Sequence, residues 1–156
     1  MGPGVRRVSS LCPVTYDGAA LRARLERAAT TTATAGLDAL LVSPGPDLRY
    51  LAGYDAVALE RLTCLVVPAT GAPVLVAPRL ERAAALASPI GSLGLEVVTW
   101  DEHDDPYALT ASLVPTARRV AVDDRMWAVK ALALQAALPD ATVSAAGVVL
   151  RELRMR

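Results

Sequence analysis

Phenylalanine is absent from this chain of 156 residues, and aromatic residues make up only 4% of it. Hydrophobic residues nevertheless account for 53%, so the apolar side chains are chiefly those of leucine, valine and alanine. A chain of this length and hydropathy is one compact domain and not a disordered segment. A core of such small aliphatic side chains suits helices that pack closely on a sheet.

An excess of charge is also missing, because 16 Lys and Arg residues balance 16 Asp and Glu residues. Nucleic-acid-binding domains usually carry a strong basic excess, so a general nucleic-acid-binding function is not expected. No apolar run is long enough to span a bilayer. The segment after Arg6 and Arg7 is too short and too polar for the core of a signal peptide. We therefore expect a cytoplasmic protein without a membrane partner.

Residues that carry most enzyme chemistry are scarce. The chain has one histidine, His103, and two isolated cysteines, Cys12 and Cys64, without C-x-x-C spacing. Free thiols in a reducing compartment are therefore expected, with Cys64 as a small core residue inside an apolar run. The glycine-rich motifs of nucleotide-binding proteins and the G-x-S-x-G motif of hydrolases are also absent from the sequence.

Acidic residues are the remaining candidates for a metal site, and they cluster at 101–105 and at 123–124. Several ligands must converge to hold a metal ion, so a site made of carboxylates alone stays open. Turns and helix caps also favour Asp, and we prefer that interpretation, with Asp123 and Asp124 capping a helix. A single histidine in an Asp-rich turn is usually a surface residue, so a serine triad through His103 is not favoured.

Apolar runs alternate with helical patterns and with glycine- and proline-rich turns along the chain. Residues 1–15 predict an extended arm, and Asp17 is expected to cap a helix that ends near Ala35. Later helices are predicted at 47–51, 79–86, 106–113, 125–138 and from 146, and strands at 37–42, 62–67, 73–77, 95–100, 120–122 and 142–143. The second and third strands form a predicted hairpin. The pattern predicts an α/β domain with a mixed β-sheet flanked by helices.

The charged loop that precedes the predicted strand at 62–67 is the best candidate for a site. Tyr54 offers a hydroxyl and a stacking face, and Arg61 offers a planar fork that suits a carboxylate. Asp55 and Glu60 can bind an amine, or they can simply pair with Arg61. The residues alone leave open whether this segment is a binding loop or an exposed loop with an internal ion pair.

The segment Pro46–Tyr54, PDLRYLAGY, resembles the N-x-x-Y-L-T-G-F/Y segment of the amino-terminal domain of creatinase, prolidase and aminopeptidase P proteins. Ala52 stands where that family often has Thr, and Asp47 where it often has Asn. Further features agree in order along the chain: the early helix followed by 36–42, the hairpin at 62–77, the stretch 120–124 before a helix, and 150–156, which is similar to the L-R-x-I-K junction. The resemblance covers nearly the whole chain from Asp17, and the type it resembles most is a bacterial Xaa-Pro dipeptidase.

The resemblance implies the fold of that domain, a mixed sheet with a ribonuclease H-like motif, over residues 16–150. Residues 151–156 are then expected to begin the junction to a catalytic domain that this chain lacks. In the family, that "pita-bread" domain holds two divalent metal ions (Mn, Co or Zn) through two Asp, one His and two Glu. It hydrolyses the bond preceding proline with a metal-activated water. The chain itself is expected to be inactive, without catalytic residues or metal ligands.

The resemblance also implies a homodimer in which loops of this domain approach the active site of a neighbouring subunit and help to define substrate size. The positions that match a role in lining the site of a proline-containing peptide are Tyr54, Asp55, Glu60 and Arg61, with His103 placed by its loop alone. Two alternatives stay open. The chain could be a stand-alone protein-binding module, or the amino-terminal domain of a creatinase-type amidinohydrolase.

Overall fold

The computed structural model describes residues 15–155, so the predicted arm at 1–15 lies almost wholly outside the described residues, as does Cys12. Helices and strands alternate along most of the described chain, except for one pair of consecutive strands and one pair of consecutive helices. The elements are α1 (Gly18–Thr34), β1 (Ala39–Val42), α2 (Pro46–Ala52), β2 (Cys64–Pro68), β3 (Val74–Pro78), a 3-10 turn (Arg79–Glu81), α3 (Arg82–Ala87), α4 (Pro89–Ser92), β4 (Glu96–Trp100), α5 (Pro106–Ser112), β5 (Arg119–Val122), α6 (Ala128–Ala137), β6 (Thr142–Ala145) and α7 (Gly147–Arg154).

The six strands form one sheet in the order β4-β3-β2-β1-β5-β6. Strand β2 pairs antiparallel with both β1 and β3, whereas the other neighbouring strands pair in parallel. This arrangement confirms the predicted mixed sheet and the predicted hairpin. One edge of the sheet therefore collects the carboxyl ends of five strands and the amino end of β2, and we call it the carboxyl edge.

Helices cover both faces of the sheet and create two cores. Leu40 and Val42 point into a core shared with α1, α2 and α7, whereas Ala39 and Leu41 point into a core shared with α5 and α6. All four side chains of β1 are buried. A strand buried on both faces must be apolar at every position, which explains the continuous apolar run at its place in the sequence.

Helix α1 forms as its sequence pattern predicts. Leu21, Leu25 and Ala28 recur at helical spacing and are buried, and the Asp17 carboxylate accepts a hydrogen bond from the main-chain N–H of Ala19 at 3.0 Å. The helix ends before Gly36, whose φ of 75° is easily adopted only by glycine. The predicted cap and the predicted end of this helix are both confirmed.

The prediction that Asp123 and Asp124 cap a helix from residue 125 is wrong, because α6 begins at Ala128. The buried Asp123 turns inward instead, and its Oδ2 accepts hydrogen bonds at 2.7 Å from both the main-chain N–H and the hydroxyl of Ser43. Asp123 therefore joins the turn after β1 to the turn after β5. Asp105, in contrast, does cap a helix, because its carboxylate accepts hydrogen bonds from two N–H groups of α5.

Candidate functional site at the carboxyl edge

The loop between α2 and β2, residues 53–63, lies at the carboxyl edge of the sheet beside the turns that follow β3 and β4. The loop begins at Gly53, where a φ of 68° ends α2 in the left-handed conformation. A Cβ at Gly53 would lie 2.9 Å from Cγ of Pro89, so both the turn and the close packing favour glycine. The loop ends where the indole N–H of Trp100 donates a hydrogen bond to the Leu62 carbonyl at 2.9 Å.

A cavity of about 370 Å³ opens between this loop and the two turns, and we call it the edge cavity. Its lining consists of Arg61, Pro78, Arg79, Leu80, Trp100, Asp101, Glu102 and His103. Pro78 and Trp100 are partners in the β3–β4 register, so the residues that follow them leave the sheet side by side. The Leu80 side chain is 81% exposed at its rim. The edge cavity thus combines charged groups with an apolar contact surface.

Two ion pairs frame the edge cavity. The Arg61 guanidinium lies 3.0 Å from the Glu102 carboxylate, and the Arg79 guanidinium lies 2.7 Å from the Asp101 carboxylate. All four side chains are substantially exposed. Exposed pairs of this kind contribute only about 0–1 kcal/mol to stability, so an incoming carboxylate or ammonium group can exchange with a partner at small cost.

The ion pair within the loop, which the sequence left open as one alternative, is not formed. Arg61 pairs with Glu102, which lies 41 residues further along the chain, and the Asp55 carboxylate pairs with the Arg49 guanidinium of α2 at 2.9 Å. Glu60 is exposed on the same loop. Of the predicted site residues, the structure therefore brings Arg61 and His103 together in the edge cavity, while Asp55 lies against α2.

Tyr54, which was predicted to offer a hydroxyl and a stacking face, is buried, with only 5% of the residue exposed. Its ring packs in the core with α1, α2 and α7. Burial raises the pKa of the Tyr54 hydroxyl, and the neighbouring Glu81 carboxylate, which shares a hydrogen bond with it, raises that pKa further. Tyr54 therefore supports the loop from beneath and does not reach the edge cavity.

Sequence reasoning missed Arg79, Asp101 and Glu102 as members of the cavity. A usable signal was present, because these residues directly follow two apolar runs that form adjacent parallel strands. Residues at the carboxyl ends of neighbouring parallel strands meet at one edge, where ligands of α/β proteins bind. The missing information was the pairing of β3 with β4, which the sequence pattern does not state.

A second polar cluster lies between the start of α2 and the end of α7, where the buried Asp47 carboxylate faces Arg154. One Asp47 oxygen lies 3.4 Å from the Arg154 guanidinium without hydrogen-bond geometry, and it has no hydrogen-bond partner in the described part of the chain. Burial raises the pKa of Asp47, and the Arg154 charge offsets part of that rise. Across residues 15–155, no group of three His, Cys, Asp or Glu side chains could hold a metal ion.

Cys64 lies at the start of β2 and is buried as a free thiol. Burial raises its pKa to about 12, so the thiolate that nucleophilic or metal chemistry needs is not formed at neutral pH. Its interpretation as a small core residue is confirmed. None of the helices between residues 15 and 155 combines the length and the apolar character that a membrane-spanning segment needs.

Comparison with known proteins shows which sequences this chain is similar to. Residues 24–156 match the family model of the creatinase/prolidase N-terminal domain. A probable dipeptidase PepE from Mycobacterium tuberculosis is 47% identical over 141 residues, which are 90% of this chain and 37% of that protein. The chain thus spans little more than a third of the length of the curated relatives it matches.

Solved structures agree with this match. The crystal structure of dipeptidase PepE from Mycobacterium ulcerans superposes with a TM-score of 0.84 at 45% identity, over 90% of this chain and 38% of that one. A recombinant prolidase from Thermococcus sibiricus superposes with a TM-score of 0.74 at 25% identity, over 89% of this chain and 37% of that one. The same sheet and helices therefore recur in proteins described as a dipeptidase and as a prolidase.

Proposed function

This chain belongs to the creatinase/prolidase N-terminal domain family, and from that premise we propose that it is the non-catalytic domain of a metal-dependent Xaa-Pro dipeptidase or aminopeptidase. In this proposal the domain contributes to a homodimer and to the wall of a neighbouring subunit's active site. The names of the relatives, a dipeptidase and a prolidase, support a peptidase over a creatinase-type amidinohydrolase.

The observation that carries the proposal is the edge cavity with its two exposed ion pairs. A peptide has a free carboxylate and a free amine, and the cavity offers the guanidinium of Arg61 to the first and the carboxylate of Glu102 to the second. His103 and the exposed Leu80 supply a polar and an apolar contact beside them. These groups can bind and orient a substrate.

In the same proposal, Asp55 and Glu60 extend this wall along the exposed loop, and Tyr54 acts only by supporting it. Two divalent metal ions, Mn, Co or Zn, would supply an activated water in a catalytic domain outside this chain. The residues described here do not fit such a site, because no group of three possible ligands converges among them. Every role assigned to this domain is therefore one of binding and shape.

The first experiment tests the wall in a protein that carries this domain together with its catalytic domain. Arg61→Ala is expected to lower kcat/KM for an Xaa-Pro dipeptide on the order of tenfold, because a charge-assisted contact to substrate is lost, with metal content unchanged. Arg118→Ala is the matched control, since Arg118 is exposed beside the amino end of β5, at the opposite edge of the sheet. Unchanged kinetics for Arg61→Ala would remove the loop from the active site.

The second experiment tests the lack of activity in the chain itself. The purified 156-residue chain, supplied with Mn²⁺ or Co²⁺, is expected to leave an Xaa-Pro dipeptide intact. Turnover well above background would overturn the assignment as a non-catalytic domain.

A stand-alone protein-binding module is the second candidate function. The observation that favours it is the exposure of large apolar side chains at the carboxyl edge, namely Val57, Leu59 and Leu80. Exposed apolar groups around a cavity are typical of a surface that binds another protein. The coding sequence beyond Arg156 distinguishes the two candidates. A following segment with the Asp, Asp, His, Glu, Glu ligand set supports the peptidase, and a stop codon supports the binding module.

A further inference from the structure

Helix α6 reverses the usual placement of charged and apolar residues. Its only charged residue, Lys130, is just 1% exposed, whereas Val129 and Leu132 are 65% and 69% exposed. Lys130 is also the only lysine in the chain. Burial of an ammonium group carries a large desolvation cost unless specific partners offset it, so the partners of Lys130 indicate what its burial achieves.

Lys130 binds the loop at residues 53–63. Its Nζ donates a hydrogen bond to the main-chain carbonyl oxygen of Leu59, which lies 71 residues earlier in the chain. The same ammonium lies 4.7 Å from the centre of the Trp127 ring, in the geometry of a cation–π contact. Among the described residues no carboxylate lies within ion-pair distance of Lys130. Desolvation lowers the pKa of this amine, in agreement with its enclosure.

The middle of the loop has few other restraints. In the described part of the chain, no backbone-to-backbone hydrogen bond outside regular helices and strands involves residues 55–61. The two ends are held by α2 and by the bond from Trp100 to Leu62. The side-chain pairs that Arg49 forms with Asp55 and Arg61 forms with Glu102 are exposed and therefore weak. Ala56 packs against the core, and the Lys130 bond is the enclosed polar contact in the middle of the loop, directly before Glu60 and Arg61.

We propose that Lys130 is a positioning residue that latches the loop to α6 and thereby sets where Arg61 stands in the edge cavity. An ammonium on a flexible four-carbon stem can reach through the core and present a point charge to one carbonyl, which the wider fork of arginine does less well. The latch itself is independent of the proposed function. Its effect on peptide turnover rests on that function.

The first test compares Lys130→Met with Val129→Met. Methionine keeps the apolar stem of Lys130 but removes the donor, whereas Val129 is a neighbouring exposed position that accepts the same new residue. Trypsin cleavage between Arg61 and Leu62 requires the loop to open, and its rate is followed by mass spectrometry. We expect cleavage to rise on the order of tenfold in Lys130→Met and to stay unchanged in Val129→Met. Equal rates in both variants and the unchanged chain would overturn the latch.

The variant Lys130→Arg tests whether the charged donor at this position, and not only the packing of the side chain, holds the loop. An arginine restores a charged donor, so partial recovery of slow cleavage supports the latch. Cleavage as fast as in Lys130→Met, with the fold intact by circular dichroism, would mean that a charged donor at this position does not hold the loop and would overturn the latch.

The unchanged chain offers a test that needs no folded variant, because Lys130 is the only lysine. An amine-reactive acylating reagent is applied to the native and to the urea-denatured chain, and modification of Lys130 is quantified by mass spectrometry. We expect modification on the order of a hundredfold slower in the native chain, since the amine must leave both the carbonyl and the ring. Equal rates would show that the latch is open in solution.

Kinetics in the protein with its catalytic domain then separate the latch from the proposed function. If both hold, Lys130→Met raises KM for an Xaa-Pro dipeptide with a smaller effect on kcat, as does Arg61→Ala. Faster cleavage without any kinetic change in either variant keeps the latch and overturns the proposed wall. A kinetic effect of Arg61→Ala without faster cleavage in Lys130→Met keeps the wall and overturns the latch.

Discussion

Strand β1 and the loop at residues 53–63 are stabilised in opposite ways. All four side chains of β1 are buried, and its backbone pairs with β2 on one side and with β5 on the other. The loop exposes Val57 and Leu59 and is fastened through side chains, chiefly by Lys130 and Trp100. The fold therefore depends on β1, whereas the shape of the loop depends on a few contacts that can change without unfolding the sheet.

The largest effect on stability is expected for a substitution in β1. Leu41→Ala should lower the free energy of unfolding by about 2–5 kcal/mol, because it removes apolar contacts and leaves a cavity around which a packed core relaxes only partially. Urea denaturation followed by circular dichroism measures this change. Leu132→Ala is the control, since this leucine is exposed on α6 and its loss should cost less than about 0.5 kcal/mol. Similar changes in the free energy of unfolding for the two variants would contradict the dependence of the fold on β1.

An intermediate effect is expected at Asp123, which joins the turn after β1 to the turn after β5 at the carboxyl edge. Asp123→Ala should lower the free energy of unfolding by about 1–3 kcal/mol, because the buried main-chain N–H of Ser43 loses its acceptor. The same denaturation measurement applies, with Asp140→Ala at an exposed turn as the control. A loss no larger than that of the control would mean that solvent replaces the carboxylate at Ser43.

The smallest expected effect concerns the edge cavity itself. A double-mutant cycle with Arg61→Ala and Glu102→Ala should give a coupling energy of about 0.2–1 kcal/mol, because both side chains are exposed. The coupling should weaken as salt is added from low ionic strength. A coupling of several kcal/mol that does not respond to salt would indicate a structural pair and make Arg61 a poor candidate for substrate binding.

Much of the fold was predictable because short stretches of sequence indicate its main helices, strands and turns. The apolar run of β1, the cap at Asp17 and the hairpin of β2 and β3 are each contained in a few neighbouring residues, and all are confirmed. The resemblance in the segment Pro46–Tyr54 to a known family is confirmed as well, since the family model matches residues 24–156.

What the sequence did not supply are partners that lie far apart in the chain. The residues left open whether Arg61 pairs within its own loop, and it reaches Glu102 instead because β3 and β4 lie in parallel and end together. Asp123 was expected to cap the next helix, but the parallel pairing of β1 with β5 brings it to Ser43. In both cases the neighbouring residues suggested one partner, whereas the pairing of distant strands brought a different partner into contact.

The sequence by itself determined the type of domain, its family and most of its helices and strands, because burial and turn chemistry act over short stretches of chain. Only the tertiary structure decided which charged groups share the edge cavity, that Tyr54 is buried beneath the loop, and that Lys130 reaches Leu59 across 71 residues. The physical reason is that these contacts follow from strand order and register, which bring distant residues together at one edge of the sheet.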